Sequence, residues 1–247
     1  MNHSKIENIL QNNSCNYIHL NSTTSTMDEA KEYLEKFHSN VVILADEQKN
    51  GKGRRGNIWI SPPGNIYCSI ALNNTIPINE YYLFSMLTAV SVKFTLENFG
   101  ANEIKFKWPN DFFFKNNKFG GMILETHNSK KNNKYVIIGI GINFSSSPSI
   151  ADYKTTFIKK FVKINNKLIF LYNFLNNFFF YWHNYNERKK EIFSKFYNSL
   201  MFLNEKIVIN TGNRSIKGIF KGIKYDGSLI LEKDNELVSI YSGNIKI

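Results

Sequence analysis

The apolar positions of residues 17–144 form short runs that are typical of strands. Residues 41–45 are uniformly apolar, as expected of a strand buried on both faces of a sheet. Further apolar or alternating runs indicate strands at 17–20, 66–72, 104–108 and 135–144. A hairpin is predicted where residues 112–114 and 119–126 flank a polar turn.

Helical periodicity occupies the intervening stretches. Residues 27–34 follow a Ser/Thr-rich segment and carry acids in their first turn, which indicates a helix start. Residues 81–99 predict a second helix, in which five apolar side chains point inward: Leu83, Leu87, Val90, Phe94 and Leu96. Residues 1–16 are polar and predict little structure or one short helix. Two more helices are predicted at 167–185 and 187–198.

An uncharged stretch, residues 168–186, could suggest a membrane span. Five asparagines and a histidine in this stretch are too polar for a hydrocarbon core. Its apolar residues recur at helical spacing, which favours a buried amphipathic helix; they are Leu168, Leu171, Leu175, Phe178, Phe179 and Trp182.

The last part of the chain changes to short strands, predicted at 206–209, 215–223, 228–232 and 237–241. Turns separate them, with Asp226-Gly227 the clearest. This pattern predicts a small β-barrel. We therefore expect an α+β fold with two domains, residues 1–199 with a mixed sheet packed against helices and residues 200–247 with the barrel.

Charge and cysteine content narrow the function classes only slightly. The formal net charge of the 247-residue chain is +11, which allows a nucleic acid, an anionic lipid or an acidic protein as partner. The lysines are spread along the chain and form only short clusters. Cys15 and Cys68 are the two cysteines, and neither lies in a CxxC motif. With no signal-peptide pattern at the N-terminus, a reduced, cytoplasmic location is expected.

Residues 51–64 form the most distinctive segment, with four glycines and three cations. Glycine allows a backbone to approach a ligand closely, and arginine offers a planar fork of donors to phosphate or carboxylate. The segment is neither a Walker loop nor a Rossmann turn. It predicts a loop that folds over an anion, or alternatively a flexible basic surface that contacts nucleic-acid phosphates.

Two smaller features allow a structural and a functional interpretation. Ser25 and Thr26 stand at a strand-to-helix junction, where hydroxyls either cap the helix or bind the polar head of a ligand. Gly139 and Gly141 share one face of a predicted strand. They either clear space for a flat ligand or allow tight packing against a helix.

Three motifs occur in a fixed order: the loop at 51–64, Lys-Trp-Pro-Asn-Asp at 107–111 and Gly-Ile-Gly-Ile-Asn at 139–143. With the β-rich tail, they resemble the biotin protein ligases, also called biotin–[acetyl-CoA-carboxylase] ligases, over residues 17–247. The resemblance implies a class II synthetase-like catalytic domain followed by an SH3-like β-barrel.

The resemblance also implies a two-step reaction. Biotin and ATP form biotinyl-5′-AMP with the help of Mg²⁺, and biotin then passes to a lysine of a biotin carboxyl carrier domain of acetyl-CoA carboxylase or a related carboxylase. Some family members carry an N-terminal DNA-binding domain. Because only sixteen residues precede the first predicted strand, we expect the type without that domain and no DNA or membrane partner. A homodimer joined through sheet edges is compatible with the family.

Site residues follow by matching positions to the family motifs. Lys107 and Arg54 match the catalytic cations, and Asp111 either serves magnesium or fixes the turn. Positions matching biotin contacts are Ser25, Thr26, Gln48, Gly51, Lys52, Gly53, Gly121, Gly139 and Gly141. Positions matching ATP or adenylate contacts are Arg54, Arg55, Trp59, Lys107, Asn110, Lys118 and Asn143.

The chain departs from the family pattern at three positions. Lys52 and Asn57 stand where arginine is usual, and Met27 stands where asparagine is common. The first two departures predict a looser adenylate lid, and the third alters an edge of the pocket. Two alternatives stay open: a lipoate or octanoate ligase or transferase, which shares the fold, and a nucleic-acid-binding protein.

Overall fold

The computed structural model describes residues 2–73, 77, 80–151, 153–212 and 214–246. Its helices are α1 His3–Asn12, α2 Thr26–Phe37, α3 Tyr82–Asn98, α4 Lys167–His183 and α5 Tyr185–Tyr197. The strands before α4 are β1 Asn16–Thr23, β2 Val41–Gln48, β3 Ile66–Asn73, β4 Ile104–Lys107, β5 Asp111–Phe114, β6 Asn117–Asn128 and β7 Lys134–Ile142. The strands after α5 are β8 Lys206–Asn210, β9 Ser215–Ile223, β10 Leu229–Lys233, β11 Glu236–Ile240 and β12 Asn244–Ile245.

The first seven strands form one mixed sheet in the order β1-β2-β3-β7-β6-β5-β4. Only the β1–β2 pair in it is parallel. β2 is buried on both faces, as its uniform apolar run predicted: Val41 and Ile43 pack with α2, whereas Val42 and Leu44 join the larger core under α1, α3 and α4. The expected α+β fold with a mixed sheet is confirmed.

The helix predictions are confirmed in position, with one wrong orientation. Leu83, Leu87, Val90 and Leu96 of α3 are buried, but Phe94 is 40% exposed. Instead of entering the core, the Phe94 ring lies beside α5, with the Lys195 ammonium 5.8 Å from its centroid. In α4 the predicted apolar face is buried, apart from a partly buried Trp182 that stacks on Phe84. Among the described residues no helix is long and apolar enough to cross a membrane.

The C-terminal strands form a separate five-stranded antiparallel sheet in the order β11-β10-β9-β8-β12, consistent with an SH3-like barrel. The sequence pattern did not predict the two-residue strand β12. Residues 199–201 are tied to the first sheet, because Phe106 donates to Ser199 O and Met201 donates to Phe106 O. The predicted division after residue 199 falls inside this contact and stays a prediction.

The barrel packs directly against the turn after β4. The indole Nε1 of Trp108 donates to Gly227 O at 2.9 Å in the buried interface. Gly227 has a φ of +82°, and a Cβ at this position would lie 2.1 Å from the ring of Tyr82. The Tyr82 hydroxyl in turn donates to Pro109 O at 2.8 Å. These contacts hold residues 108–110 between α3 and the barrel.

Candidate active site

A cavity of about 600 Å³ lies between the first sheet and the barrel. It is bordered by the loop at 51–59, the start of α2, the β4–β5 turn, β6, β7 and the ends of β8 and β12. Most of the site residues named from the sequence line it: Ser25, Thr26, Gln48, Lys52, Gly53, Arg54, Trp59, Lys107, Asn110, Asp111, Lys118, Gly121, Gly139 and Gly141. Gly51, Arg55 and Asn143 lie outside the lining.

Lys107, the last residue of β4, brings a buried cation to the cavity wall. Its exposed fraction is 9%. Burial lowers the pKa of Lys107, and nearby Lys118 lowers it further, whereas Asp111 raises it. Within the described residues no hydrogen bond or salt bridge engages the ammonium, because Asp111 pairs instead with Lys118 at 2.8 Å. Lys107 therefore offers, at the end of a strand, a positive charge without a direct partner among the described residues.

Asn110 fixes the turn that follows Lys107. Its side-chain amide donates to Met122 O at 2.7 Å, and the Met122 amide donates to Asn110 O at 3.0 Å. The Trp108–Pro109 peptide bond is cis. This reciprocal pairing ties the β4–β5 turn to β6.

A hydrogen-bond network joins α2 to β2 and β3 at another wall of the cavity. The Thr26 amide and hydroxyl both donate to Gln48 Oε1, at 2.8 and 3.1 Å. Gln48 Nε2 donates to Ser61 Oγ at 3.1 Å, and Ser69 Oγ donates to the Thr26 hydroxyl at 2.8 Å. Ser25 is the N-cap residue of α2, yet its side chain makes no capping hydrogen bond.

Three polar atoms at or near the cavity are buried without a partner in the part of the chain that the structure describes: Ser25 Oγ, Trp59 Nε1 and Asn143 Oδ1. Leaving a buried polar group unpaired costs about 1–3 kcal/mol. Native proteins retain such groups where a ligand or water satisfies them. Ser25 and Trp59 line the cavity, so their unpaired atoms offer a hydroxyl and an N–H donor to a polar ligand there.

The two glycines of β7 are covered by large side chains. A Cβ at Gly139 would lie 2.6 Å from Met27 Sδ, and a Cβ at Gly141 would lie 2.5 Å from Trp59 Nε1. For Gly139 this matches the alternative of tight packing against a helix, because Met27 belongs to α2. Met27 and Trp59 thus cover the space that the sequence predicted to be cleared by Gly139 and Gly141. Both of these side chains also line the cavity.

The loop at 51–57 closes on itself. Trp59 N donates to Gly51 O at 2.8 Å, and Gly53 N donates to Asn57 O at 2.7 Å. At its tip a 3₁₀ turn spans Arg54–Gly56, where Arg55 adopts a φ of +55°. The loop is therefore a hairpin-like structure closed by backbone hydrogen bonds, with Lys52 and Arg55 exposed on it.

Both arginines of this loop contact the barrel. Arg54 donates to Gly243 O at 3.3 Å and to Asn244 Oδ1 at 3.2 Å. Arg55 donates to Ser242 Oγ at 2.8 Å and to a backbone carbonyl of β8. Burial lowers the pKa of Arg54, as does the neighbouring Arg55. Lys52 pairs with Asp28 of α2.

Several lining residues were not named as site residues from the sequence. Met27 was noted only as a departure, and Tyr153 was not singled out. The barrel also contributes lining residues, namely Asn210, Asn244, Ile245 and Lys246. These four lie at least 67 residues beyond the last motif, which ends at residue 143, so no local pattern could associate them with the site.

The acidic groups at the cavity are few. Asp111 is the acidic residue in its described lining, and no cluster of three or more His, Cys, Asp or Glu side chains suited to a metal occurs among the described residues. A metal held by protein ligands alone would need such a cluster. One carboxylate suits Mg²⁺ that is bound mainly by phosphate oxygens and water.

Comparison with known proteins identifies the family to which this chain is related. Residues 17–143 match the biotin/lipoate A/B protein ligase family, and residues 202–246 match the biotin protein ligase C-terminal domain. The chain is 26% identical over 221 residues to the bifunctional ligase/repressor BirA of Bacillus subtilis, covering 84% of this chain and 66% of that protein. It thus spans slightly less than two thirds of that relative. A biotin–[acetyl-CoA-carboxylase] ligase of Paracoccus denitrificans is 30% identical over 131 residues, covering 51% of this chain and 53% of its own.

The fold matches a solved biotin protein ligase from Aquifex aeolicus in complex with biotin and ATP. The TM-score is 0.76 at 25% identity, and the match covers 93% of this chain and 97% of that one. Both the first sheet and the barrel are therefore shared. Because the first family model spans more than half of the residues, this protein belongs to the biotin/lipoate A/B protein ligase family.

Proposed function

We propose that this protein is an ATP-dependent biotin protein ligase. It joins biotin to ATP, forms biotinyl-5′-AMP, releases pyrophosphate and then transfers biotin to a lysine of a biotin carboxyl carrier domain. The observation that carries this proposal is the buried, unpaired ammonium of Lys107 at the wall of a cavity that also presents unpaired polar atoms.

In the first step a biotin carboxylate oxygen attacks the α-phosphorus of ATP, and the bond to the bridging oxygen of pyrophosphate breaks. Two anionic groups must approach each other, so a fixed cation lowers the barrier. Lys107 supplies that cation from the end of β4, where its burial and its strand geometry restrict its motion. The low local dielectric strengthens its attraction to the developing charge.

The ring system of biotin is assigned to the wall formed by Ser25, Thr26 and Gln48. A ureido group carries both N–H donors and a carbonyl acceptor. The unpaired Ser25 hydroxyl can donate to the ureido carbonyl or accept from a ureido N–H. The adjacent backbone amide, that of Thr26, is held in place by its hydrogen bond to Gln48 Oε1. Met27 supplies an apolar contact beside them.

The loop at 51–57 acts as a lid over the adenylate. A mixed anhydride is hydrolysed readily, so excluding water preserves it until the acceptor lysine arrives. Arg54 and Lys52 line the cavity from the loop and add positive charge near the phosphates. In the second step the acceptor amine attacks the acyl carbon, AMP leaves and the amine loses its proton.

Magnesium would be held by Asp111 together with phosphate oxygens. When bound, the ion neutralises the charge of the phosphates. Asp111 pairs with Lys118 at 2.8 Å, so Lys118 is positioned to exchange this carboxylate for a phosphate. The acceptor is expected to be the carrier domain of acetyl-CoA carboxylase or a related carboxylase, and a homodimer through sheet edges stays a prediction.

Biotin-dependent pyrophosphate release by the purified protein tests the proposal. We expect release with biotin and ATP, none with lipoate or octanoate, and near-complete loss in Lys107→Ala with the fold retained by circular dichroism. Release with lipoate alone would assign the family's other activity. Tight binding to duplex DNA in moderate salt without pyrophosphate release would favour nucleic-acid binding, although both loop arginines here are bonded to the barrel.

A further inference from the structure

We propose that Asp28 is a positioning residue for the lid, the loop at 51–57, because it holds the Lys52 side chain against the first turn of α2. This inference rests on the proposed reaction and adds a residue that acts through Lys52 without touching the substrate. Lys52 lines the cavity, whereas Asp28 lies outside its lining.

The contact between Lys52 and Asp28 joins the loop to a helix. Lys52 Nζ donates to Asp28 Oδ1 in a close ion pair, and the two residues are 24 positions apart. Lysine carries its charge on one compact ammonium, which a single carboxylate oxygen can engage. The sequence predicted that Lys52, standing where arginine is usual, loosens the lid. The carboxylate of Asp28 gives this lysine a fixed partner instead.

The lid is held from two sides. At its base, Lys49 N donates to Thr23 O at 2.8 Å and Asn50 N donates to Thr24 O at 3.0 Å, which ties the end of β2 to the end of β1. Beyond this base, the two loop arginines bond to the barrel. Among the described residues, the ion pair with Asp28 is the salt bridge that attaches the loop to the first domain. Without it, the side chains of the loop would hold the lid on the barrel side alone.

The helical turn that contains Asp28 also forms the wall assigned to biotin. Ser25 and Thr26 begin this turn, and the Asp28 amide donates to Ser25 O at 3.1 Å. The ion pair therefore spans the gap between the lid and the assigned biotin wall. Because opening of a lid often controls release of what lies beneath it, this pair should lengthen the time for which the adenylate is retained.

A purely structural role for Asp28 makes a different prediction. Asp28 and Glu29 both lie in the first turn of α2, where negative charge stabilises a helix. Glu29 accepts a hydrogen bond from the Thr23 hydroxyl and makes no described contact with the loop. Glu29→Gln is therefore a matched control, since it removes a charge from the same helical turn and leaves the ion pair with Lys52 intact.

Amide hydrogen exchange of the full-length, ligand-free protein tests the contact without any turnover. For Asp28→Asn at low ionic strength, we expect the amides of residues 51–59 to exchange about threefold faster than in the wild type, an effect typical of losing an exposed ion pair. Asp28→Glu, which keeps the carboxylate, and Glu29→Gln should exchange as the wild type does. Added salt should bring the wild type towards the rate of Asp28→Asn, because it screens the pair.

A double-mutant cycle with Lys52→Met shows whether Asp28 acts through Lys52. In that background Asp28→Asn should have no further effect on exchange. In parallel, the lifetime of bound, labelled biotinyl-AMP should fall about threefold in Asp28→Asn, while the rate of adenylate formation at saturating biotin and ATP changes less than about twofold.

Equal exchange in Asp28→Asn and the wild type would overturn the inference. An undiminished effect of Asp28→Asn in the Lys52→Met background would also overturn it, because Asp28 would then act on the helix alone. An unchanged adenylate lifetime would show that the contact does not control retention and would overturn it as well. Absence of pyrophosphate release by the wild type would refute the proposed function instead, and the exchange of the ligand-free protein would still decide whether Asp28 holds the loop.

Discussion

Trp59 and Gly141 are in such close contact that no side chain fits at position 141. A Cβ there would lie 2.5 Å from Nε1 and 2.6 Å from Cε2 of the indole. Trp59 also donates its backbone amide to Gly51 O, at the base of the loop. The conformation of the lid is therefore coupled to the absence of a side chain on β7.

We predict that Gly141→Ala pushes the indole away and opens the lid. The KM values for biotin and ATP should rise about tenfold, and overpacking should cost about 1–3 kcal/mol in unfolding free energy. Steady-state pyrophosphate release and urea denaturation measure these effects. When Trp59 is replaced by Leu, Gly141→Ala should lower the unfolding free energy much less than it does in the wild type. An equal loss of unfolding free energy in both backgrounds would argue against the contact.

Met27 and Gly139 should be coupled in the same way. A Cβ at Gly139 would lie 2.6 Å from the thioether sulfur, so Gly139→Ala should weaken biotin binding and lower stability. Met27→Ala alone leaves a cavity, which the new methyl group of the double variant fills in part. We expect a favourable coupling of about 1 kcal/mol in a double-mutant cycle of urea unfolding. Additivity within about 0.5 kcal/mol would contradict it.

Lys107→Met should raise the stability of the protein while abolishing its activity. The buried ammonium lacks a salt bridge among the described residues, and methionine preserves most of its length. Removing this charge should raise Tm by about 2–4 °C, the shift expected for 1 kcal/mol in a protein of this size, and abolish adenylate formation. Differential scanning calorimetry measures the first effect. A lower Tm would show that the ammonium stabilises the fold.

The lowered pKa of Lys107 also predicts how the stability and the activity of the protein depend on pH. In the window between its folded pKa and the ordinary lysine value, the unfolded chain binds the proton and the folded chain does not, so this group favours folding increasingly as pH rises. Adenylate formation needs the protonated form and should decline on the alkaline side as pH rises through the folded pKa. The Lys107→Met variant should lose the stability change; an unaltered pH–Tm profile would exclude Lys107 as its source.

Arg55 should influence how long the adenylate is retained, although it does not line the cavity. Its guanidinium joins the loop to Ser242 of the barrel at 2.8 Å. We expect Arg55→Ala to shorten the adenylate lifetime several-fold, as measured by filter retention of labelled biotinyl-AMP. Ser242→Ala should give a smaller effect in the same direction. Lys233→Ala, which removes an exposed cation from the same barrel, is the control; lifetimes equal to wild type in Arg55→Ala would refute the coupling.

Local periodicity predicted most of the fold because burial on one or both faces leaves a regular apolar pattern. The uniform run of β2 and the helical spacing of α4 are examples. The prediction for Phe94 was wrong because α3 packs on nearly all sides, so its sequence lacks a clear polar face. Strand β12, with two residues, is too short to have a period.

The candidate site was predictable where motif residues lie on rigid elements, as for Lys107 and Gln48. The positions of Trp59 and Met27 were not predictable, because their side chains cover glycines that are distant in sequence. The barrel residues at the cavity, including Lys246, were also unpredictable. Their contribution depends on how two domains pack, which no local pattern encodes.

The hydrogen bond from Arg54 to Gly243 joins residues that are 189 positions apart. Domains generally fold as units during synthesis, N-terminal parts first. The first sheet can therefore form on the ribosome long before the segment around Gly243 emerges, but the cavity and its lid cannot. A ligand of the cavity can stabilise this protein only after nearly the whole chain has been made, so a nascent chain must rely on its own core until then.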